Sequence, residues 1–98
     1  MIHEELTVGR NATRNALVID DPSVESVHAR LLRQPDGRIR ICDLGSLMGT
    51  WVNYTPVSQE GVILEDGDLI HFGRVGFRFR LRQTKQDDVL FLPKDTKP

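Results

Sequence analysis

Hydrophobic residues in this chain occur in short runs that alternate with polar residues, as in a β-sheet that is covered on one side. Residues 77–82 read Phe-Arg-Phe-Arg-Leu-Arg, so the apolar and charged side chains of a strand would lie on opposite faces. Residues 38–42 read Arg-Ile-Arg-Ile-Cys and follow the turn sequence Pro-Asp-Gly, which predicts an antiparallel hairpin. No window of eleven or more residues keeps a helical period, so the pattern predicts an all-β fold. The side chains expected to face the core are Ile39, Ile41, Phe77 and Phe79.

Strand-like runs recur between turn sequences along most of the chain. Eight strands are predicted, at residues 5–8, 17–19, 28–33, 38–42, 50–52, 61–63, 68–71 and 76–81. This close rhythm of short strands and turns is typical of two antiparallel sheets packed face to face. We therefore expect one β-sandwich domain over residues 1–82.

The last residues of the chain have a different character. Residues 83–88 are polar, residues 89–92 read Val-Leu-Phe-Leu, and residues 93–98 are again mostly prolines and charged residues. The apolar patch could add an edge strand or dock on the body of the domain. We expect residues 83–98 to form a polar C-terminal tail or linker, because the patch is flanked on both sides by segments of linker composition.

Composition limits the classes of function. A chain of 98 residues suffices for one domain, and a formal net charge of -1 gives no overall attraction to nucleic acid or to an anionic membrane. The arginines of residues 77–82 are interpreted as a solvated strand face. No apolar run approaches the roughly 20 residues of a membrane span. Cys42 is the one cysteine, and its apolar neighbours predict a buried thiol in a reducing compartment, so we expect a cytoplasmic protein.

Patterns of catalysis and metal binding are missing from the sequence. It contains no nucleophile with a base at motif spacing and no glycine-rich phosphate loop before a helix. His28 lies far from His3 and His71 in the sequence, without the spacing of metal ligands. We expect a binding protein rather than an enzyme, with no metal and no other cofactor.

Five segments carry the pattern of a known domain. They are Gly-Arg at residues 9–10, His-Ala-Arg-Leu at residues 28–31, Asp-Leu-Gly-Ser at residues 43–46, Gly-Thr-Trp-Val-Asn at residues 49–53 and Leu-Glu-Asp-Gly-Asp-Leu-Ile-His-Phe-Gly at residues 64–73. In this order and spacing they resemble the forkhead-associated (FHA) domain, from about residue 6 to residue 81. The resemblance implies an all-β sandwich of the SMAD/FHA type, with two antiparallel sheets and about eleven strands. It also implies that loops at one end of the sandwich bind a phosphothreonine peptide.

The resemblance assigns roles to individual residues. A phosphothreonine carries a charge of about −1.5 to −2, and the planar fork of an arginine suits its oxygens. Arg10 occupies the family's phosphate-binding position, directly after Gly9. His28 matches the histidine that supports the binding loops through hydrogen bonds. Gly49 and Thr50 match the residues that support the second binding loop.

The phosphate-binding serine of the family is replaced by Glu25. A carboxylate has the wrong sign for a phosphate site, because like charges repel at short range. We expect Glu25 to lie beside Arg10 and to neutralise it. The missing hydroxyl would have to be replaced by that of the neighbouring Ser26 or of Ser23.

The second binding loop also departs from the family pattern. Leu47 and Met48 stand where the family commonly has Thr-Asn, so two polar contacts become apolar, and we expect both side chains to be exposed. Asn53 is assigned to the same divergent recognition loops. The family's glycine after Asn53 is replaced by Tyr54, which leaves two large aromatic residues, Trp51 and Tyr54, near this end of the domain. We expect Trp51 to fill the core, since one large aromatic residue suits the core of so small a sandwich.

Two functions fit these residues. The first is an FHA-type protein-interaction module in signalling or regulation, with weak or absent phosphothreonine binding. The alternative is a functional phosphothreonine-peptide reader in which Arg10, Ser26 and Ser46 bind the phosphate. In both cases the expected partner is a protein or peptide segment, and neither nucleic acid nor a membrane.

Overall fold

Ten short strands make up the described part of the chain, residues 5–82 and 88–93 of the computed structural model. The strands are β1 (Glu5–Gly9), β2 (Leu17–Val18), β3 (Ala29–Arg33), β4 (Ile39–Asp43), β5 (Thr50–Val52), β6 (Thr55–Pro56), β7 (Val62–Leu64), β8 (Leu69–Phe72), β9 (Val75–Arg82) and β10 (Asp88–Pro93). All eight predicted strands are present, with bounds that differ by one residue at most. Strands β6 and β10 were not predicted.

The strands form two five-stranded sheets. The first sheet has the order β2-β1-β3-β4-β7 and the second has the order β10-β9-β8-β5-β6. Neighbouring strands are antiparallel except for β1 and β2, which are parallel with Val8 opposite Leu17. The all-β sandwich expected from the sequence is therefore confirmed. In the part of the chain that the structure describes, no helix is long and apolar enough to cross a membrane.

The core lies between the inner faces of the two sheets. Ile39, Ile41 and Phe79 are buried, and Phe77 packs against them while remaining partly exposed. The alternating pattern thus orients these strands as predicted, since successive side chains of a strand point to opposite faces. Cys42 is a free, buried thiol, also as expected.

The C-terminal segment differs from the expected tail. Residues 88–93 form β10, which pairs antiparallel with β9 and places Phe91 opposite Phe79. The ring of Phe91 makes edge contacts with those of Phe72, Phe77 and Phe79, at centroid distances of 6.3, 6.1 and 5.8 Å. Partial burial of this ring against residues distant in sequence accounts for the strand. Residues 83–87 and 94–98, the rest of the expected tail, lie outside the described residues.

Four connections meet at one end of the sandwich, because β1, β4 and β8 end there while β3, β5 and β9 begin there. We call this region the loop end. It comprises residues 10–11, 20–28, 44–49 and 73–74.

Candidate functional site

Backbone hydrogen bonds join the first two segments of the loop end. The N–H of Arg10 donates to the carbonyl of Glu25 at 2.8 Å, and the N–H of Asn11 donates to the carbonyl of Ser26 at 3.2 Å. A Cβ atom at Gly9 would clash with the Ser26 carbonyl oxygen, so only glycine permits this approach. The side chain of Asn15 also donates to the Ser26 carbonyl, at 2.7 Å, a contact that sequence patterns did not indicate.

His28 connects the second and third segments of the loop end. It is fully buried, its Nδ1 accepts the N–H of Glu25 at 3.1 Å, and its Nε2 lies 2.8 Å from the carbonyl of Gly49. Because Nδ1 accepts, we assign the proton to Nε2, which donates to Gly49. The geometry fits a histidine that supports loops. Within residues 5–82 and 88–93, no group of three His, Cys, Asp or Glu side chains could hold a metal ion.

The loop between β4 and β5 is organised by Asp43, to which sequence analysis gave no role. Its buried carboxylate accepts the backbone N–H groups of Gly45 and Ser46 and the hydroxyls of Ser46 and Thr50, at 2.6 to 3.0 Å. Burial disfavours the charged form of Asp43, but these hydrogen bonds outweigh it and hold the pKa of the carboxyl below its ordinary value. The Ser46 hydroxyl also accepts the N–H of Gly49 at 3.0 Å. Ser46 and Thr50 therefore hold the loop from inside.

The tip of this loop carries two exposed apolar side chains. Leu47 is 86% exposed and Met48 is 51% exposed, as predicted. The tip is held from both sides, since the carboxylate of Glu25 accepts the N–H of Leu47 at 3.2 Å and the indole of Trp51 donates to the carbonyl of Met48 at 3.1 Å. Gly49, which follows the tip, has φ of 87°, a conformation that glycine adopts without a steric penalty.

The charge partner of Arg10 differs from the one we expected. Its guanidinium Nε donates to the carboxylate of Asp20 at 3.2 Å, and both side chains are substantially exposed. The carboxylate of Glu25 points to the backbone of Leu47 instead. The prediction that Glu25 neutralises Arg10 is therefore wrong, and Asp20 does so. The loop geometry explains the difference, because Glu25 contacts Arg10 through its backbone carbonyl and not through its carboxylate.

Asn53 does not belong to the loop end. It lies in the turn between β5 and β6, where its amide donates to Asp68 at 3.0 Å and accepts the N–H of Leu69 at 3.0 Å. This turn is at the end of β5 opposite to Gly49. The assignment of Asn53 to the recognition loops is wrong, because three strand residues separate it from them. Tyr54 lies in the same turn, so its expected place near the loop end is wrong as well. Trp51 is partly exposed and does not belong to the core, contrary to expectation.

The comparison with family models decides the identity of this fold. Residues 6–73 match the FHA domain model. The chain belongs to the FHA domain family.

Known proteins resemble this FHA domain over most of its length. The oxoglutarate dehydrogenase inhibitor of Corynebacterium diphtheriae is 38% identical over 68 residues, which are 69% of this chain and 45% of that protein. The glycogen accumulation regulator GarA of Mycolicibacterium smegmatis is 36% identical over 72 residues, which are 74% of this chain and 43% of that protein. The chain spans about half the length of these curated relatives. The structure of Mycobacterium tuberculosis EmbR in complex with a low-affinity phosphopeptide is 28% identical with a TM-score of 0.72, over 82% of this chain and 20% of that chain.

A further cluster fixes the remaining segment of the loop end in this FHA domain. The guanidinium of Arg74 donates through Nε and Nη2 to the carboxylate of Asp21, and the backbone N–H of Arg74 donates to the hydroxyl of Ser23 at 3.0 Å. Ser23 in turn donates to Asp21 at 2.6 Å. The hydrogen bonds from Arg74 and Ser23 hold the pKa of the Asp21 carboxyl well below its ordinary value. No sequence pattern indicates this contact, because Asp21 lies in a connection of the first sheet and Arg74 in a connection of the second.

Proposed function

We propose that this FHA domain is a protein-interaction module in signalling or regulation that binds its partner through the loop end, with little or no dependence on phosphothreonine. The observation that carries the proposal is the loop tip. Leu47 and Met48 are exposed there, while hydrogen bonds to Glu25 and Trp51 hold their backbone in place. A preformed apolar tip binds with a small loss of conformational entropy.

The charges around Arg10 support weak phosphate binding. An incoming phosphate would meet the carboxylate of Asp20 at the guanidinium of Arg10. Each pair of unit like charges at about 5 Å costs about 3 kcal/mol at an effective dielectric constant of about 20, but the exposure of both side chains screens this cost to about 0–1 kcal/mol. The repulsion therefore offsets part of the about 1.5–3 kcal/mol that one hydrogen bond to a charged group contributes.

The curated relatives support a regulatory role. One is named an inhibitor of oxoglutarate dehydrogenase and another a regulator of glycogen accumulation. We extend only the class of activity to this chain: it acts by binding a protein or peptide segment and not by catalysis, without a metal or another cofactor. The single cysteine, Cys42, supports a cytoplasmic location, because a lone buried thiol suits a reducing compartment.

Nucleic acid is not the proposed partner. Among the arginines of β9, Arg78 donates to the carbonyl of Gly67 at 2.9 Å, and Arg80 pairs with Asp66 at 3.0 Å. Both contacts support the interpretation that these arginines of β9 bind a turn of the same domain and not nucleic acid.

We propose the fold boundary at Pro93 rather than at Arg82, since β10 covers part of the core.

A phosphothreonine-peptide reader is the second candidate. It is favoured by the position of Arg10 at the end of β1, with its side chain about half exposed. In such a reader Arg10 and Ser26 bind the phosphate. Ser46 contributes by supporting the loop, because its hydroxyl already contacts Asp43 and Gly49.

Matched peptide libraries separate the two candidates. The chain is screened against random peptides with a fixed threonine and against the same peptides with phosphothreonine, and binders are titrated by calorimetry. We expect binders whose affinity does not depend on phosphate and which the double substitution Leu47→Thr, Met48→Asn weakens at least tenfold. Arg10→Ala is the control and should leave this affinity unchanged. Binding that requires the phosphate and is lost in Arg10→Ala would instead establish the phosphothreonine reader.

A further inference from the structure

The outer face of the second sheet carries aromatic side chains that continue from the loop tip. The indole of Trp51 contacts the backbone of Met48 through the hydrogen bond at 3.1 Å. On the next strand Trp51 lies opposite His71, whose ring is 5.4 Å from that of Tyr54 between ring centroids, at an interplanar angle of 36°. These four residues, Met48, Trp51, His71 and Tyr54, form one continuous surface that we call the aromatic strip.

The aromatic strip is accessible to a partner. Tyr54 is 70% exposed and Met48 is 51% exposed, while Trp51 and His71 are partly exposed between them. Gly76 lies opposite His71 on β9 and adds no side chain on that flank. Aromatic residues and methionine are enriched in protein interfaces, where they supply large contact areas with few rotatable bonds.

The backbone at Tyr54 is a second, independent observation. Val52 pairs with Thr55, so Asn53 and Tyr54 form a two-residue hairpin turn, with φ of 50° and 68°. Such a turn strongly favours Asn-Gly, because glycine adopts positive φ without a steric penalty. Asn53 fits the turn but tyrosine is disfavoured at its second position. A bulky residue that combines a strained backbone conformation with a mostly exposed side chain indicates a role for that side chain outside the fold.

A positive charge lies on the same face. Arg78 is opposite Leu69 on the strand next to β8, two residues from the position of His71, and its guanidinium is exposed while donating to the carbonyl of Gly67. This charge suits a carboxylate of a partner.

On the basis of the proposed function, we propose that the aromatic strip is a second contact surface for the same partner that the loop tip binds. Its occupant is a segment of that partner with apolar side chains next to an aspartate or glutamate. Two features of the molecule carry this assignment: the strip is continuous with the loop tip through Trp51, and Arg78 lies beside it. Recognition would then extend from Met48 along β5 to Tyr54, over roughly 15 Å of strand and turn.

The test uses random unphosphorylated peptides of 15 residues displayed on phage and selected on the whole 98-residue chain. Selected peptides are titrated against Tyr54→Gly, Arg78→Gln and the tip variant Leu47→Thr, Met48→Asn. We expect Tyr54→Gly to weaken binding at least tenfold and to leave the thermal midpoint unchanged or higher, because glycine suits the turn. Arg78→Gln should weaken peptides that contain an acidic residue about threefold or more. Val62→Thr, which changes an exposed valine of the first sheet, should alter neither affinity nor stability.

The outcomes are distinguishable. Binding that falls in the tip variant but not in Tyr54→Gly overturns the second contact surface and leaves the proposed function intact. Absence of any peptide that depends on the loop tip overturns both. Self-association of the chain in sedimentation experiments, abolished by Tyr54→Gly, would assign the strip to a second copy and overturn the occupant proposed here.

Discussion

Asp43 shows how one buried carboxylate can shape a recognition loop. Its two oxygens accept two backbone N–H groups and two hydroxyls, all from the seven residues that follow it. A charged acceptor that satisfies several donors is stabilising only while it stays ionised. The apolar tip at Leu47 and Met48 therefore depends on a polar centre beneath it.

Replacing Asp43 by Asn should destabilise the domain by about 1–3 kcal/mol, because an amide offers one acceptor oxygen where the carboxylate uses one oxygen for the two N–H groups and the other for the two hydroxyls. The folded-state pKa of Asp43 is lowered, so its contribution is present above the ordinary pKa of about 4 and is lost as the pH falls towards the folded value. Urea unfolding from pH 7 to pH 2 should show this acid-dependent loss reduced in Asp43→Asn. Equal pH dependence in both proteins would contradict the role of Asp43.

Asp20 is the residue whose change should most improve phosphate binding. Asp20→Asn removes the carboxylate that pairs with Arg10, and an exposed pair of this kind contributes about 0–1 kcal/mol, so affinity for a phosphothreonine peptide should rise up to about fivefold. Glu25→Gln is the matched control, with a smaller expected gain because Glu25 contacts Leu47. Calorimetry with one phosphothreonine peptide compares the two. A larger gain in phosphopeptide affinity in Glu25→Gln would show that Glu25, as first expected, is the carboxylate that opposes phosphate binding at Arg10.

At the scale of elements, β10 determines how completely the core is covered. Its residue Phe91 packs against Phe72, Phe77 and Phe79, and β10 pairs with β9 over six residues. The second sheet therefore needs residues beyond the segment that matches the family model, which ends at residue 73.

Phe91→Ala should lower the free energy of unfolding by about 2–4 kcal/mol, because a large aromatic side chain leaves a cavity beside the core. Leu92→Ala is the control, since Leu92 is 39% exposed, and its effect should be much smaller. Chemical denaturation measures both. Similar midpoints for the wild type and Phe91→Ala would mean that residues 88–93 contribute as little as the linker expected from composition.

The sequence predicted the sandwich and much of the loop end for a physical reason. Alternating residues determine which face of a strand is buried, and the resemblance determined which connections converge. Three features escaped it. The strand β10 depends on aromatic partners that are distant in sequence. The motif that contains Asn53 does not show that this residue lies at the end of β5 away from the loop end. Loop geometry determines that Asp20, and not Glu25, pairs with Arg10.

At the scale of the whole molecule, the loop end is tied across both sheets. Asp21 and Ser23 belong to the connection between β2 and β3 in the first sheet, while Arg74 lies between β8 and β9 in the second. His28 makes a similar link to Gly49. The two sheets therefore position the loop segments relative to one another.

Arg74→Lys should loosen this link without unfolding the domain. A lysine cannot donate two aligned hydrogen bonds to Asp21, yet Arg74 is exposed and its loss should change the thermal midpoint little. Amide hydrogen exchange should accelerate in residues 21–25, while the strands β4 and β8 keep their protection. Unchanged exchange in the loop would show that Arg74 does not hold it.

The edge strand β6 has a consequence for behaviour at high concentration. A sheet edge exposes unpaired N–H and C=O groups to which another molecule can add a strand, and this is a route to aggregation. Strand β6 is only two residues long, and Pro56 has no N–H to offer. The short edge strand and its proline therefore disfavour strand addition and fibril growth on this side of the second sheet. The adjacent aromatic strip nevertheless stays uncovered.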